Sequence, residues 1–169
     1  MMKHIDAFKA ASYPFVMEPV QFSDALRLTQ LSESQLREWC GKRGLFQPTV
    51  AARGPGRVAL YSWQDLISLR VFGEVFSVFG GRASGWAIGI ADLRQRLDGQ
   101  FFPNLWGQAA LFASQHSAEL VTVRSVSLHA AALVVPLDPH LAHLAEHAAT
   151  NQFEKQMPLP LLAPMRTVR

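Results

Sequence analysis

Leu31-Ser-Glu-Ser-Gln-Leu-Arg-Glu-Trp-Cys-Gly-Lys-Arg-Gly-Leu-Phe-Gln-Pro48 is the stretch on which the reading of this chain turns. Leu36, Trp39 and Cys40 stand at i, i+3 and i+4, which gives one apolar face at helical spacing over about 33–43. Ser32 sits where an N-cap belongs, and Gln35 three residues on completes a capping box. Gly44 suits a left-handed stop, Leu45 packs back, and Pro48 bars continuation. Just upstream, residues 22–30 read as a first short helix, with Ser23 as its N-cap and Ala25, Leu26 and Leu28 as apolar positions. Two short helices joined at Leu31-Ser32 make a helix-turn-helix unit.

Outward from this unit the chain keeps a helical rhythm up to a break. Residues 49–61 contain Gly54, Pro55 and Gly56, so they predict a small hairpin with its turn at 54–56. Ser62 caps a helix expected over 63–78, and Gly80-Gly81 ends it. A further helix over 84–98 carries Trp86, Ile90, Leu93 and Leu97. Asp98-Gly99 and Pro103 mark a boundary. Strands are expected at 107–113, 119–125 and 128–135, followed by a helix from Asp138 or Pro139 to about Ala149. At the start, Ile5 to Ala11 reads as a short helix broken off by Pro14 and Pro19.

The expected organisation is an arm at 1–21, a helix-turn-helix domain at 22–99, a small dimerisation or sensing part at 100–155, and a flexible tail at 156–169. The fold class is α+β: a winged helix-turn-helix head followed by a small α/β part of about three strands and one helix.

Composition removes several classes of function. The chain has 169 residues, 49% of them hydrophobic and 17% charged, which is too apolar for a disordered chain. One cysteine, Cys40, excludes a disulfide framework and a thiolate zinc site, and its place beside Trp39 makes it a small core residue. No run of apolar residues has membrane character and no signal-peptide core precedes the first helix, so a cytoplasmic protein is expected. The 12 Lys/Arg and 9 Asp/Glu of residues 1–99, against 4 and 4 in the rest, put the whole +3 excess in the first part. Residues 39–64 hold Lys42, Arg43, Arg53 and Arg57 and no acid.

Residues 22–73 resemble the DNA-binding domain of MerR-type transcriptional regulators, a winged helix-turn-helix. The resemblance rests on Leu31, Ser32, Leu36, Arg37, Trp39, Lys42, Arg43, Gly44, Leu45 and Pro48, and continues in Gly56, Arg57, Tyr61, Ser62, Asp65, Leu66 and Leu69. It implies sequence-specific binding of double-stranded DNA, with helix 33–43 in the major groove and the wing, 53–61, on the backbone. Ser34, Gln35 and Glu38 would face bases; Arg37, Lys42 and Arg43 would meet phosphates, Arg53 and Arg57 would reach from the wing, and Tyr61 belongs to the same set. The chain departs from the family at Gln30, where Gly is usual, and at Ala59, where Arg is usual. The family's long dimerisation helix and metal-sensing cysteines are absent. A head this small touches few phosphates, so a homodimer is expected, with 107–150 and the arm as its contact.

The alternative is a protein-interaction module that kept the winged fold without DNA binding, and Gln30, Ala59, Glu33 and Glu38 favour it. An enzyme is not expected. Acids do not pair at helical spacing, there is no GxSxG elbow, and Gly80-Gly81 lacks the Lys of a phosphate loop. His140, His143 and His147 form a stripe near His129, but without an HExxH arrangement they read as solvated or interface histidines, with no metal or other cofactor. The C-terminal part is left open to a small-molecule or protein partner.

Overall fold

A computed structural model describes residues 17–52, 57–125 and 131–155, with residues 149–155 by their backbone alone. The expectations for Ile5–Ala11, the hairpin tip, His129 and the tail lie outside the described residues.

The first helix, α1, is Phe22–Thr29. Ser23 does not cap it. The N-cap is Gln21, in extended backbone and without a side-chain bond, because Val20 just before it is held as a strand by Tyr61: each of the two backbone N–H groups donates to the other's carbonyl at 2.9 Å. The helix closes on Gln30, whose φ of 60° and ψ of 21° are left-handed. It is the non-glycine residue with positive φ among the described residues, and it turns the chain into the next helix with no glycine.

That next helix, α2, is Glu33–Arg37. Its capping box is formed in full: the Gln35 N–H donates to Ser32 Oγ at 3.2 Å, and the Ser32 N–H donates to Gln35 Oε1 at 2.9 Å. The expected helix over 33–43 does not continue as α. Glu38–Lys42 widens into a π turn in which the Arg43 N–H reaches Glu38 O at 2.8 Å. Gly44 then stands at a φ of 58°, as a left-handed stop requires. Beyond it the Leu45 and Phe46 N–H groups both donate back to Trp39 O.

The third helix, α3, is Trp63–Phe79, one residue longer than expected, and it is the centre of the molecule. Trp39 is buried against it, edge-on to Phe72 at 4.5 Å and tilted on Phe76 at 5.3 Å, while Phe46 covers Phe72 from outside at 5.1 Å. Aromatic pairs of this kind add about 0.5–1.5 kcal/mol each beyond the area they bury. The expected helix over 84–98 is shorter. Gly80–Trp86 coils as 3-10 helix because three of its residues are glycine and Trp86 is drawn in to stack on Phe79 and meet Phe112 edge-on. The fourth helix, α4, is Ala87–Leu97.

The boundary near Gly99 leads through a 3-10 turn, Phe102–Leu105, into a three-stranded antiparallel sheet. Its strands are β1, Gln108–Ser114; β2, Ser117–Thr122; and β3, Leu133–Pro136, in the order β2-β1-β3. Ala110 of β1 is the pivot, opposite Leu120 on one side and Val135 on the other. The second strand stops before the expected residue 125 because Val123 leaves the ladder and donates to Gly107 O at 2.9 Å, opening the turn Val123–Ser125. Of the third expected strand, Leu133–Pro136 is formed and residues 131–132 are not part of it, while 126–130 lie outside the described residues. Helix α5, Asp138–Lys155, runs past the expected Ala149.

The class is therefore α+β, and one continuous hydrophobic cluster runs from Ala25 of α1 to Ala145 of α5. The sheet packs on α4, where the Gly89 N–H donates to Gln115 O at 3.0 Å and a Cβ at Gly89 would lie 2.9 Å from that oxygen. No helix among the described residues is long and apolar enough to cross a membrane. Gln30→Gly should raise stability by about 0.5–1 kcal/mol, since relief of the left-handed strain exceeds the extra freedom of the unfolded chain. Urea denaturation checks this, and a lowered midpoint would contradict it.

Candidate nucleic-acid interface

The inner side of the segment 33–43 is fastened at three places. Leu36 and Trp39 are in the core, and Cys40 lies beside Tyr61 at the base of the 49–61 segment. Burial pushes the Cys40 thiol up to about 11, and burial together with Cys40 raises Tyr61, so both stay neutral. Tyr61 is only 3% exposed. It serves as a core post rather than an exposed contact, which corrects its assignment to the DNA-facing set.

The base of the hairpin is one backbone pair, Val50 with Leu60, bonded in both directions at 3.0 and 3.1 Å. It is anchored by Asp65. This buried carboxylate accepts the Thr49 N–H at 2.9 Å, the Thr49 hydroxyl at 2.7 Å, the Ser62 N–H at 2.9 Å and Arg94 Nε at 2.6 Å. Arg94 reaches on to Asp98 at 2.5 Å. Burial opposes the Arg94 charge, but the hydrogen bonds and charges of Asp65 and Asp98 outweigh it and raise its pKa. Ser62 and Asp65 form the second capping box of the chain, visible in their spacing; the partnership with Arg94 had no signal in the sequence.

The outer side of the segment is open to solvent. Ser34, Arg37, Lys42 and Arg43 are exposed, and Gln35 and Glu38 are half-buried. Gln35 Oε1 is taken up by Ser32, and the Ser34 hydroxyl lies 3.0 Å from Ser32 Oγ. Each acid of the segment holds an arginine: Arg37 Nε meets Glu33 at 2.7 Å and Arg43 Nε meets Glu38 at 2.7 Å. Arg37 also lies over the Phe22 ring at 5.1 Å. Lys42 makes no ion pair among the described residues, and Arg57 is exposed. Arg53 lies outside the described residues.

The histidine stripe is not solvated. His140 and His147 are buried, at 2% and 7% exposure, and α5 turns them towards α1 and α3, while Leu141 and Leu144 lie in the common core. Arg70 Nε donates to His140 Nδ1 at 3.1 Å, which leaves the ring proton on Nε2. That atom faces Glu74 at 3.5 Å, outside hydrogen-bond geometry. Arg27 Nη2 lies 3.2 Å from His147 Nε2. Among the described residues no group of three His, Cys, Asp or Glu is placed to hold a metal ion.

No protein-family model matches the chain, and no curated protein matches it.

Burial, then Arg70 and His143, push His140 down to about 4. Its folded pKa lies below the ordinary value, so the native state binds fewer protons than the unfolded one. The stabilisation is complete above about pH 6.5 and is lost as pH falls to about 4, a change of roughly 3 kcal/mol. His140→Gln should flatten that part of the curve. Urea midpoints between pH 4 and 8 that run parallel in the two proteins would contradict it.

Proposed function

We propose that this protein binds double-stranded DNA as a transcriptional regulator, through a head of the MerR-like winged helix-turn-helix kind. The observation that carries the reading is the two-sidedness of 33–43: its inner side is tied to α3 and to the hairpin base, and its outer side is left open. A short helix presented this way suits the major groove, where base pairs display distinct donors and acceptors. The left-handed Gln30 supports it further, since it makes the turn for which the family uses glycine. Ser34 and the Gln35 amide would face bases, and Arg37, Lys42, Arg43 and Arg57 would meet phosphates. Such a regulator acts in the cytoplasm as a homodimer, because one head meets too few phosphates alone.

The ion pairs shape the affinity. Glu33 and Glu38 compensate Arg37 and Arg43, so a phosphate has to displace a carboxylate to reach either guanidinium. Both pairs are exposed, at 46–67% for the arginines, and exposed pairs are worth at most about 1 kcal/mol. Displacement is therefore feasible, while non-specific attraction stays low. The same pairs favour a second reading, a protein-interaction surface, which the exposed Val50 and Val58 of the hairpin would serve.

Salt-dependent binding to random and selected duplexes separates the two. Arg37→Ala with Arg57→Ala should weaken binding to every duplex by about 10–100-fold at low salt and lower the salt slope by about 2. Gln35→Ala should mostly change sequence preference. Glu33→Gln with Glu38→Gln should strengthen non-specific binding. If neither the natural protein nor the glutamine variant binds duplex DNA, the interaction reading replaces the regulator.

A further inference from the structure

Between the loop that follows the π turn and helix α4 lies a cleft of about 330 Å³. Leu45, Phe46 and Pro48 form one wall and Ala91 and Arg94 the other; Cys40, Tyr61 and Leu69 make the floor. We propose that this cleft is a binding site for a small, uncharged, largely apolar molecule with an aromatic or similarly flat body and a single hydrogen-bonding group. This inference stands apart from the DNA reading.

Size, charge and local backbone carry it. A volume of about 330 Å³ reaches the lower end of the range of small-molecule sites, about 300–1,000 Å³. The charged groups on the wall are already matched. Arg94 is held by Asp65 at 2.6 Å and by Asp98 at 2.5 Å, and the Asp65 carboxylate already accepts four hydrogen bonds, so neither an anion nor a cation finds an unmatched charge on the wall. What remains is a mostly apolar surface with uncharged polar groups at Gln47, Ser68, Cys40 and Tyr61, one of which can exchange a hydrogen bond with a guest. Cys40 also belongs to the π turn, and such insertions occur frequently at functional sites.

Indole, with benzoate and benzylamine as charged counterparts, tests this on the full chain by amide NMR spectra. Indole should bind saturably with a dissociation constant on the order of 1 mM, as befits a fragment of this size. Its shifts should concentrate at residues 40–48 and 91–94, and benzoate and benzylamine should bind at least tenfold more weakly. Ala91→Leu places bulk at the exposed mouth with a strong helix former, so it should keep the fold and weaken indole at least tenfold. Ile88→Ala, on an apolar side chain that is 59% exposed, should leave binding unchanged. Three results overturn the site: no saturable indole binding, shifts centred on Val78, Phe79 and Ile88, or indole binding untouched by Ala91→Leu with native spectra. Equal binding of benzoate or benzylamine overturns the uncharged class of ligand.

Discussion

Asp65 is the constraint on which the rest of the structure depends. Its carboxylate is almost wholly removed from water, and a charge there is tolerated only when its lone pairs are filled and a counter-charge is present. Four donors meet that demand, and they come from three separated parts of the chain: Thr49, Ser62 and Arg94. One group therefore fixes where the hairpin begins, where α3 begins, and how α4 lies beside both. Charge-assisted hydrogen bonds are short and directional, so this junction sets orientation as well as energy. The apolar cluster around Trp39, Phe46, Phe72 and Phe76 fills the space that this polar junction frames.

Local signals explain what was legible in the sequence. Ser32 with Gln35 announces a helix start, and the structure completes that box bond for bond. Gly44 announces a stop, and it is left-handed. Leu36 and Trp39 announce an inner face, and both are buried. The misreadings arise where a distant partner overrides the local pattern. Ser23 is a good cap by composition, but the pairing of Val20 with Tyr61 fixes the chain entry elsewhere. The 3.6-residue rhythm through 33–43 cannot reveal the π turn, because after Cys40 the segment holds only Gly41, Lys42 and Arg43 and no apolar position to show the shift. The histidine stripe reads as surface because its covering arginines, Arg27 and Arg70, lie far away in sequence.

The candidate interface was legible as a list of residue types and not as an electrostatic surface. Glu33 and Glu38 read as liabilities beside phosphates. In the folded chain they are the partners of Arg37, at the i, i+4 spacing of a helix, and of Arg43, five residues on across the π turn. Tyr61 reads as part of the wing because it stands among wing residues, yet its ring faces inward. The contribution of Arg94 was invisible, because nothing near it in sequence names Asp65 as its partner.

The interlock of α4 with the sheet bears on how freely the first hundred residues can be moved about. Gly89 presses its backbone on Gln115, and the apolar cluster passes from α3 and α4 into β1 and α5 without a seam. A head severed near Gly99 would carry a bare greasy flank. Shuffling it onto another effector region, by recombination or by an engineer, would demand a replacement for that flank as well as a new linker.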